Sequence, residues 1–268
     1  MDNALCLNSN TYHGFELADA VAGARAAGLE FIEIAAVRGH TEHLRADMSD
    51  DELASALQLL RENGIRPLGL SGHANIMTEE GRASFRQNIE LAERIGASYI
   101  VTGTGDTHDD EDVIEDEAAL VDILRDLTAY AAERGIRVAL ETHGNNYGTG
   151  ASIRDLATKV GSDDFGVNYD TANVIFYGDV YPYDDLEQSA DRVLGIHLKD
   201  KAGEPREWNF PAIGDGDLDF GRIFDILRRT ACIAPLSIEI EFTAEGPASL
   251  DEVHAAVARS VATIAALR

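Results

Sequence analysis

Apolar positions along this chain follow two periods, and the change from one to the other recurs at a glycine. Four times a stretch with apolar residues every three or four positions ends in Gly, and a run rich in Ile, Val and Leu opens within two residues: RAAGLEFIEI, RENGIRPLGL, RIGASYIVT and ERGIRVALE. The first period is that of an amphipathic helix; the short runs suit strands of a parallel sheet, buried on both faces. Gly28, Gly64, Gly96 and Gly135 therefore read as left-handed C-caps, a conformation that costs glycine no Cβ clash. Carried through the chain, the pattern predicts strands near 3–8, 30–35, 65–70, 98–102, 136–141, 165–170, 193–198 and 235–241. Helices are predicted near 15–27, 50–63, 79–95, 113–134, 152–160, 184–191, 219–230 and 248–267.

Eight strand–helix alternations in about 250 residues are the arithmetic of an α/β fold of one kind, a single (β/α)8 TIM barrel. A doubly wound open sheet would carry GxGxxG after its first strand, and this chain does not. With six prolines and no low-complexity stretch, nothing marks a linker, so residues 1–268 are expected to form one domain. The longer connections, around 36–50, 103–112, 142–151 and 171–183, all follow strands, and in such a barrel those loops carry the active site.

Charge narrows the partners more than the fold. There are 48 acidic residues against 22 basic, a formal net charge of −26. Such a surface repels nucleic acid and anionic lipid, because affinity for phosphate backbones comes from Lys and Arg. Neither nucleic acid nor a membrane is an expected partner, and a densely phosphorylated substrate is disfavoured. The same excess suits a well-solvated surface in a salty cytoplasm. No apolar run approaches the roughly 20 residues that span a bilayer. The opening MDNALCLNSN lacks the basic segment and apolar core of a signal peptide. Cys6, inside an apolar run, and Cys232 form no CxxC, which fits a reducing compartment, so a cytoplasmic location is expected.

Candidate chemistry gathers where apolar runs stop. ALETHG places Glu141 at a strand end and His143 two residues on; FGVNYDTANV ends in Asp170; VLGIHLKD gives His197, then Lys199 and Asp200; LSIEIEF gives Glu239 and Glu241; SGHANIM contributes His73. Ionisable groups closing buried strands are costly unless they converge on something charged. Taken singly, Asp170 reads equally as a turn cap and His197 as a satisfied core histidine. Together, two Glu, one Asp and one His on four consecutive strands make an oxygen-rich set, suited to Mn²⁺, Mg²⁺, Co²⁺ or a catalytic Zn²⁺ rather than to structural zinc. His73 and His143 can hold substrate hydroxyls, a second metal, or only their own loops. Lys199 reads as a substrate contact or as a partner of Asp200 or Glu241. Trp208 and Phe210 suit an apolar pocket wall or a lid packed on the core.

The segments ALETHG, NYDTANV, GIHLKD, WNFPAIGDGDLDF and PLSIEIEF resemble, over essentially the whole chain, the xylose-isomerase-like barrels of sugar isomerases and epimerases, related in fold to the endonuclease IV repair enzymes. The resemblance implies that Glu141, Asp170, His197 and Glu239 bind one divalent metal ion, Mn²⁺ first, with Mg²⁺, Co²⁺ or Zn²⁺ as alternatives. It implies that Glu141 and Glu239 also serve as the acid/base pair on opposite faces of a small-molecule sugar substrate, and that GDGDLDF closes over the site. Two positions depart from it. Many epimerases of the family carry a substrate-binding His three residues after the strand 6 Asp, where this chain has Asn173. Strand 8 also offers Glu241, about 6.6–6.8 Å from Glu239 along a strand and too far to share one ion at equal depth. Glu239 is expected as the ligand, and Glu241 as a support for Lys199 or a substrate hydroxyl. The expected substrate-binding set is His73, His143, Asn173, Lys199, Trp208 and Glu241.

To isomerise or epimerise a ketose, a proton must leave the carbon beside the carbonyl. A metal chelating the carbonyl and the neighbouring hydroxyl stabilises the resulting cis-enediolate, while one carboxylate takes the proton and another returns it. The expected function is therefore a divalent-metal-dependent isomerase or epimerase of a small, unphosphorylated or lightly charged sugar. The alternative is a metal-dependent lyase or dehydratase acting on a keto-sugar, keto-inositol or oxidised glycoside, in which the same enediolate expels a β-substituent; Asn173 favours it. Kinship with repair nucleases predicts a basic groove and a His-rich metal cluster, contrary to the charge balance. The full ligand set argues against a non-catalytic sugar-binding or scaffold barrel, and Asn173 keeps that reading open. The sequence leaves assembly into a homo-oligomer open.

Overall fold

The computed structural model describes residues 2–105, 114 and 116–268. Its strands are β1 (Leu5–Asn8), β2 (Phe31–Ala35), β3 (Arg66–Ser71), β4 (Tyr99–Thr102), β5 (Arg137–Glu141), β6 (Phe165–Asp170), β7 (Val193–Leu198), β8 (Asn209–Phe210), β9 (Leu236–Ile238) and β10 (Phe242–Thr243). β1 to β7 and β9 close into a parallel eight-stranded barrel in chain order, β9 returning to β1. β8 and β10 form a short antiparallel ribbon, Phe242 opposite Phe210. The helices are α1 (Leu17–Ala26), α2 (Asp50–Glu62), α3 (Glu79–Ile95), α4 (Glu117–Ala132), α5 (Gly150–Val160), α6 (Asn173–Phe176), α7 (Pro182–Ser189), α8 (Phe220–Arg229) and α9 (Leu250–Leu267).

The fold is thus the (β/α)8 barrel that the pattern predicts, and Gly28, Gly64, Gly96 and Gly135 have φ of +79°, +70°, +76° and +71°. Residues 106–112 of the loop expected at 103–112, and residues 113 and 115 of the helix expected at 113–134, lie outside the described residues. Two expectations change. The connection expected over 171–183 contains a short helix, α6, because Asp170 Oδ1 accepts the N–H groups of Ala172 and Asn173, each at 2.8 Å. The eighth barrel strand, expected to run to 241, stops at Ile238. Glu239 still donates its N–H to Leu198 O at 3.1 Å, but the Ile240 N–H goes to the Thr11 hydroxyl at 3.0 Å. The ladder ends where that side chain intercepts it, and Phe242 then takes φ +60°.

Apolar side chains fill two regions. The larger lies between strands and helices and includes Ile34, Ile89, Leu124, Ile153, Ile223 and Val257. The smaller, Tyr99, Val101 and Ala139, belongs to β4 and β5 and is packed by Leu68 and Leu194. Tyr99 needs space that glycines provide: a Cβ on Gly69 would come within 2.4 Å of its ring, and one on Gly195 within 2.6 Å of Asn168 Oδ1. The ring is fully buried, and its hydroxyl donates to Glu33 Oε2 at 2.5 Å. The barrel interior is thereby tied to the polar groups near the strand ends.

The connection from β7 to α8 is held by Asp200. Its buried carboxylate accepts the N–H groups of Lys201 (2.8 Å), Gly214 (2.8 Å), Gly216 (3.0 Å) and Leu218 (3.2 Å). A Cβ on Gly216 would lie 2.4 Å from Asp200 Oδ1, which explains the glycine in GDGD. Among the described residues no helix is long and apolar enough to cross a membrane.

The chain has three lysines, and Lys199 and Lys201 are buried, leaving Lys159 exposed. Surface pairs such as Arg154–Asp191 (2.7 Å) leave most of the 48 acidic residues unneutralised. Repulsion among them destabilises the compact state and is screened by salt. Raising KCl from about 0.1 to about 2 M at neutral pH is expected to raise the calorimetric Tm by about 5–10 °C, a few kcal/mol for a chain of this size. A flat or falling Tm would contradict this reading of the surface.

Candidate metal centre

β5, β6, β7 and β9 bring four ionisable side chains together at their C-terminal ends. Glu141 and Asp170 are the last residues of β5 and β6, His197 is the penultimate residue of β7, and Glu239 follows β9. Register sets Asp170 directly opposite His197. All four are at most 5% exposed, and one ligand atom from each lies within 4.8 Å of the others. His197 Nδ1 stands 2.7 Å from Glu141 Oε1, 3.3 Å from Glu239 Oε2 and 4.0 Å from Asp170 Oδ2.

These residues fit a divalent ion on two counts. Asp170 Oδ2 and His197 Nδ1 are buried among charged groups, with Lys199 Nζ 3.1 Å from the first and Glu141 Oε1 2.7 Å from the second, and a shared cation would balance the surplus of carboxylates around them. Three carboxylates and one imidazole also match the donor preference of Mn²⁺, Mg²⁺, Co²⁺ or Zn²⁺ in an open site. Asp170 serves both readings considered from the sequence: Oδ1 caps α6 while Oδ2 faces the cluster.

Three further side chains hold the cluster, and the sequence reading missed them. Glu33 Oε1 lies 2.8 Å from His197 Nε2, which fixes the ring so that Nδ1 faces the other carboxylates. Asn8 donates to Glu33 Oε1 at 3.3 Å and to Glu239 Oε1 at 3.2 Å. Asn10 donates to Glu239 Oε1 at 3.0 Å and to Glu241 Oε1 at 3.2 Å. The available signal was FIEIA, an apolar strand with one carboxylate in it, and the paired asparagines of LCLNSN that close β1.

Five carboxylates (Glu33, Glu141, Asp170, Glu239, Glu241) surround two basic groups. Of the partners open to it, Lys199 takes Glu241 (2.8 Å), and it also reaches Asp170 Oδ2 (3.1 Å) and Glu239 Oε2 (3.2 Å); Asp200 is committed to its loop. Burial opposes every charge here. It pushes the Asp170 carboxyl up to about 7, although Lys199 pulls it back. Glu141 stays well below the usual carboxylate range because His197 and His73 outweigh its burial, and Lys199 and His197 do the same for Glu239. Burial raises Glu241. His197 and Lys199 are held protonated against their burial by the facing carboxylates, so an incoming cation has to displace the proton on His197.

Above the cluster opens a pocket of about 710 Å³, with Glu141 and Glu239 in its lining. His73, His143, Asn173, Lys199, Trp208 and Glu241, the expected substrate-binding set, all line it. His73 Nε2 is 2.8 Å from Glu141 Oε2, and His73 Nδ1 is 3.2 Å from Ser71 Oγ. The His143 ring lies 4.1 Å from that of Tyr177, a lining residue not singled out from the sequence. Trp208 meets Phe210 and Phe176 edge-on at 5.1 and 5.7 Å. Phe210 is 1% exposed and supports Trp208 from behind.

A family model described as a xylose isomerase-like TIM barrel matches residues 21–260. The inosose isomerase of Halalkalibacterium halodurans is 25% identical over 236 residues, covering 80% of this chain and 78% of that protein. The L-ribulose-5-phosphate 3-epimerase UlaE of Salmonella paratyphi A is 22% identical over 242 residues, covering 84% and 83%. Among solved structures, a D-allulose 3-epimerase from Methylomonas sp. in complex with D-allulose matches with a TM-score of 0.79 at 19% identity, covering 100% of this chain and 98% of that one.

Glu33→Gln is expected to weaken Mn²⁺ binding by about 10–100-fold, the usual cost of losing the carboxylate behind a ligating histidine. Calorimetric titration of the metal-free protein measures this, and an unchanged affinity would remove Glu33 from the account.

Proposed function

The chain belongs to the xylose isomerase-like TIM barrel family, and from that premise we propose that it is a divalent-metal-dependent sugar isomerase or epimerase. The observation that carries the reading is the convergence of Glu141, Asp170, His197 and Glu239 from successive barrel strands beneath a polar pocket. These four residues would hold the ion, with Mn²⁺ the first candidate on donor chemistry. When bound, the ion polarises the sugar carbonyl and steadies the negative charge left by deprotonation.

Glu141 and Glu239 are the acid/base pair. Burial opposes their charge, but His197 and His73 hold the Glu141 carboxyl below the usual carboxylate range and Lys199 and His197 do so for Glu239. With the His197 proton displaced, a bound cation would take over that part and keep both able to accept a proton. They belong to separate elements of the barrel, which suits removal of a proton from one face of the substrate and its return on another. Lys199 and Glu241, 2.8 Å apart at the pocket surface, offer a donor and an acceptor to sugar hydroxyls. Trp208 and Tyr177 supply an apolar surface for the ring carbons.

An unphosphorylated sugar fits best. Among the described lining residues the Lys and Arg cations are Lys199, which faces three carboxylates, and Arg38, which lies 3.7 Å from Glu80. Neither is placed in a cluster that would hold a phosphate group. The relative named inosose isomerase agrees with this choice, whereas the one named L-ribulose-5-phosphate 3-epimerase carries a phosphorylated sugar in its name, so the choice rests on the lining of the pocket. Asn173, in the pocket where many epimerases carry a histidine, keeps elimination from a keto-sugar, keto-inositol or oxidised glycoside as the second reading.

With Mn²⁺ and a panel of keto-sugars and inososes in D₂O, the protein is expected to place deuterium on the carbon beside the carbonyl. Glu141→Gln and Glu239→Gln should each slow that exchange by about 100-fold or more, while Glu241→Gln mainly raises KM. Mass spectrometry and NMR of the products separate the readings. An inverted stereocentre or a shifted carbonyl supports isomerisation; loss of water or an aglycone supports elimination. Full exchange in Glu141→Gln would contradict both.

A further inference from the structure

Asn10 touches both carboxylates that follow β9 and is itself gripped from the opposite side. It sits in the 3₁₀ turn Ser9–Tyr12 that follows β1, and its N–H donates to the Asn8 side chain at 2.9 Å. Its side-chain nitrogen donates to Glu239 Oε1 at 3.0 Å and to Glu241 Oε1 at 3.2 Å. Its amide oxygen accepts the Thr41 hydroxyl at 2.7 Å. Reversing the amide would set its oxygen against two carboxylates, so the chemistry of the neighbours fixes its orientation.

The chain of contacts continues outward. With its proton committed to Asn10, the Thr41 hydroxyl accepts from His13 Nδ1 at 2.8 Å, and the His13 ring stacks on His40 at 4.3 Å. Thr41 is 3% exposed and lies in the connection between β2 and α2; His13 lies between β1 and α1. At the inner end, Glu239 Oε1 receives protons from Asn8 and Asn10, and Oε2 is left facing His197 Nδ1 at 3.3 Å and Lys199 Nζ at 3.2 Å.

We propose that Asn10 is a positioning residue for Glu239, locked in place by Thr41, so that the connection after β2 takes part in shaping the metal centre. Two neighbouring carboxylates repel each other. Lys199 already bridges their Oε2 atoms, and Asn10, a neutral group with two N–H donors, bridges their Oε1 atoms without adding a second positive charge beside the proposed ion. Holding Oε1 determines the direction of Oε2, the oxygen that faces the proposed ion. The hydrogen bonds that lead from Thr41 to Glu239 run through Asn10. The inference rests on the proposed function, because it takes Glu239 as a ligand and proton carrier.

The test is Mn²⁺ titration of the metal-free, full-length protein by calorimetry, with Tm recorded for each variant. Asn10→Ala and Thr41→Val are expected to weaken Mn²⁺ binding about tenfold or more, the range found when groups that orient a ligand are lost. Thr41→Ser keeps the hydroxyl and is expected to bind within about twofold of the wild type, since the donor that locks Asn10 remains. A purely structural Thr41 would lower Tm in Thr41→Val and leave the Mn²⁺ affinity alone. Unchanged affinity in both Asn10→Ala and Thr41→Val, or a Thr41→Ser as weak as Thr41→Val, overturns the role of Asn10 while leaving the enzyme reading in place. No Mn²⁺ binding by the wild type overturns both.

Discussion

Five carboxylates crowd one imidazole and one ammonium at the top of this barrel, and keeping that much like charge inside a protein is the constraint the nearby structure answers. An isolated buried carboxylate is expensive, and a cluster more so, unless every oxygen finds a proton donor or a cation. Glu33 is met by His197, Tyr99 and Asn8; Glu141 by His73 and His197; Glu239 by Asn8, Asn10 and Lys199; Glu241 by Asn10 and Lys199. Asp170 Oδ2 faces Lys199 Nζ at 3.1 Å, and His197 Nδ1 faces Glu141 Oε1 at 2.7 Å and Glu239 Oε2 at 3.3 Å. Two basic groups leave these carboxylates with an excess of negative charge, and a divalent cation among the four converging side chains would balance it, which is the physical basis for the metal proposal.

The scaffold around this cluster follows from small features of sequence. Gly69 and Gly195 leave room for Tyr99 and Asn168, and the Tyr99 hydroxyl steadies Glu33, which steadies His197. Asp170 spends one oxygen on the turn that starts α6 and keeps the other for the site. Asp200, adjacent in sequence to Lys199, ties down the connection that carries Trp208 and Phe210 over the pocket. Substitutions at these positions would disturb the site through geometry rather than through lost contact with a substrate.

Much of this was legible from the sequence because it is local. Glycine caps and the change of period fix where helices end and strands begin, and most element boundaries fall within two residues of the expected ones. Strand-end positions were enough to bring Glu141, Asp170, His197 and Glu239 together, since a closed parallel barrel aligns those ends. The parts that were not legible depend on closure. Whether Ile240 continues the ladder depends on the Thr11 hydroxyl, more than 200 residues away in the chain. Glu33, Asn8 and Asn10 act through side chains that meet across the barrel mouth, and no spacing along the chain records such a meeting. Lys199 had Asp200 beside it in sequence, yet the backbone N–H groups of the following loop claim that carboxylate.

The central claim is that Glu141, Asp170, His197 and Glu239 form one divalent metal site. Anomalous diffraction from crystals grown with Mn²⁺ tests it most directly. The account predicts a single strong manganese peak within bonding distance of His197 Nδ1, Asp170 Oδ2 and the carboxylates of Glu141 and Glu239, with Glu241 turned to Lys199. A well-ordered site with no anomalous peak between these four residues, or a peak held by Glu241 in place of Glu239, would contradict it.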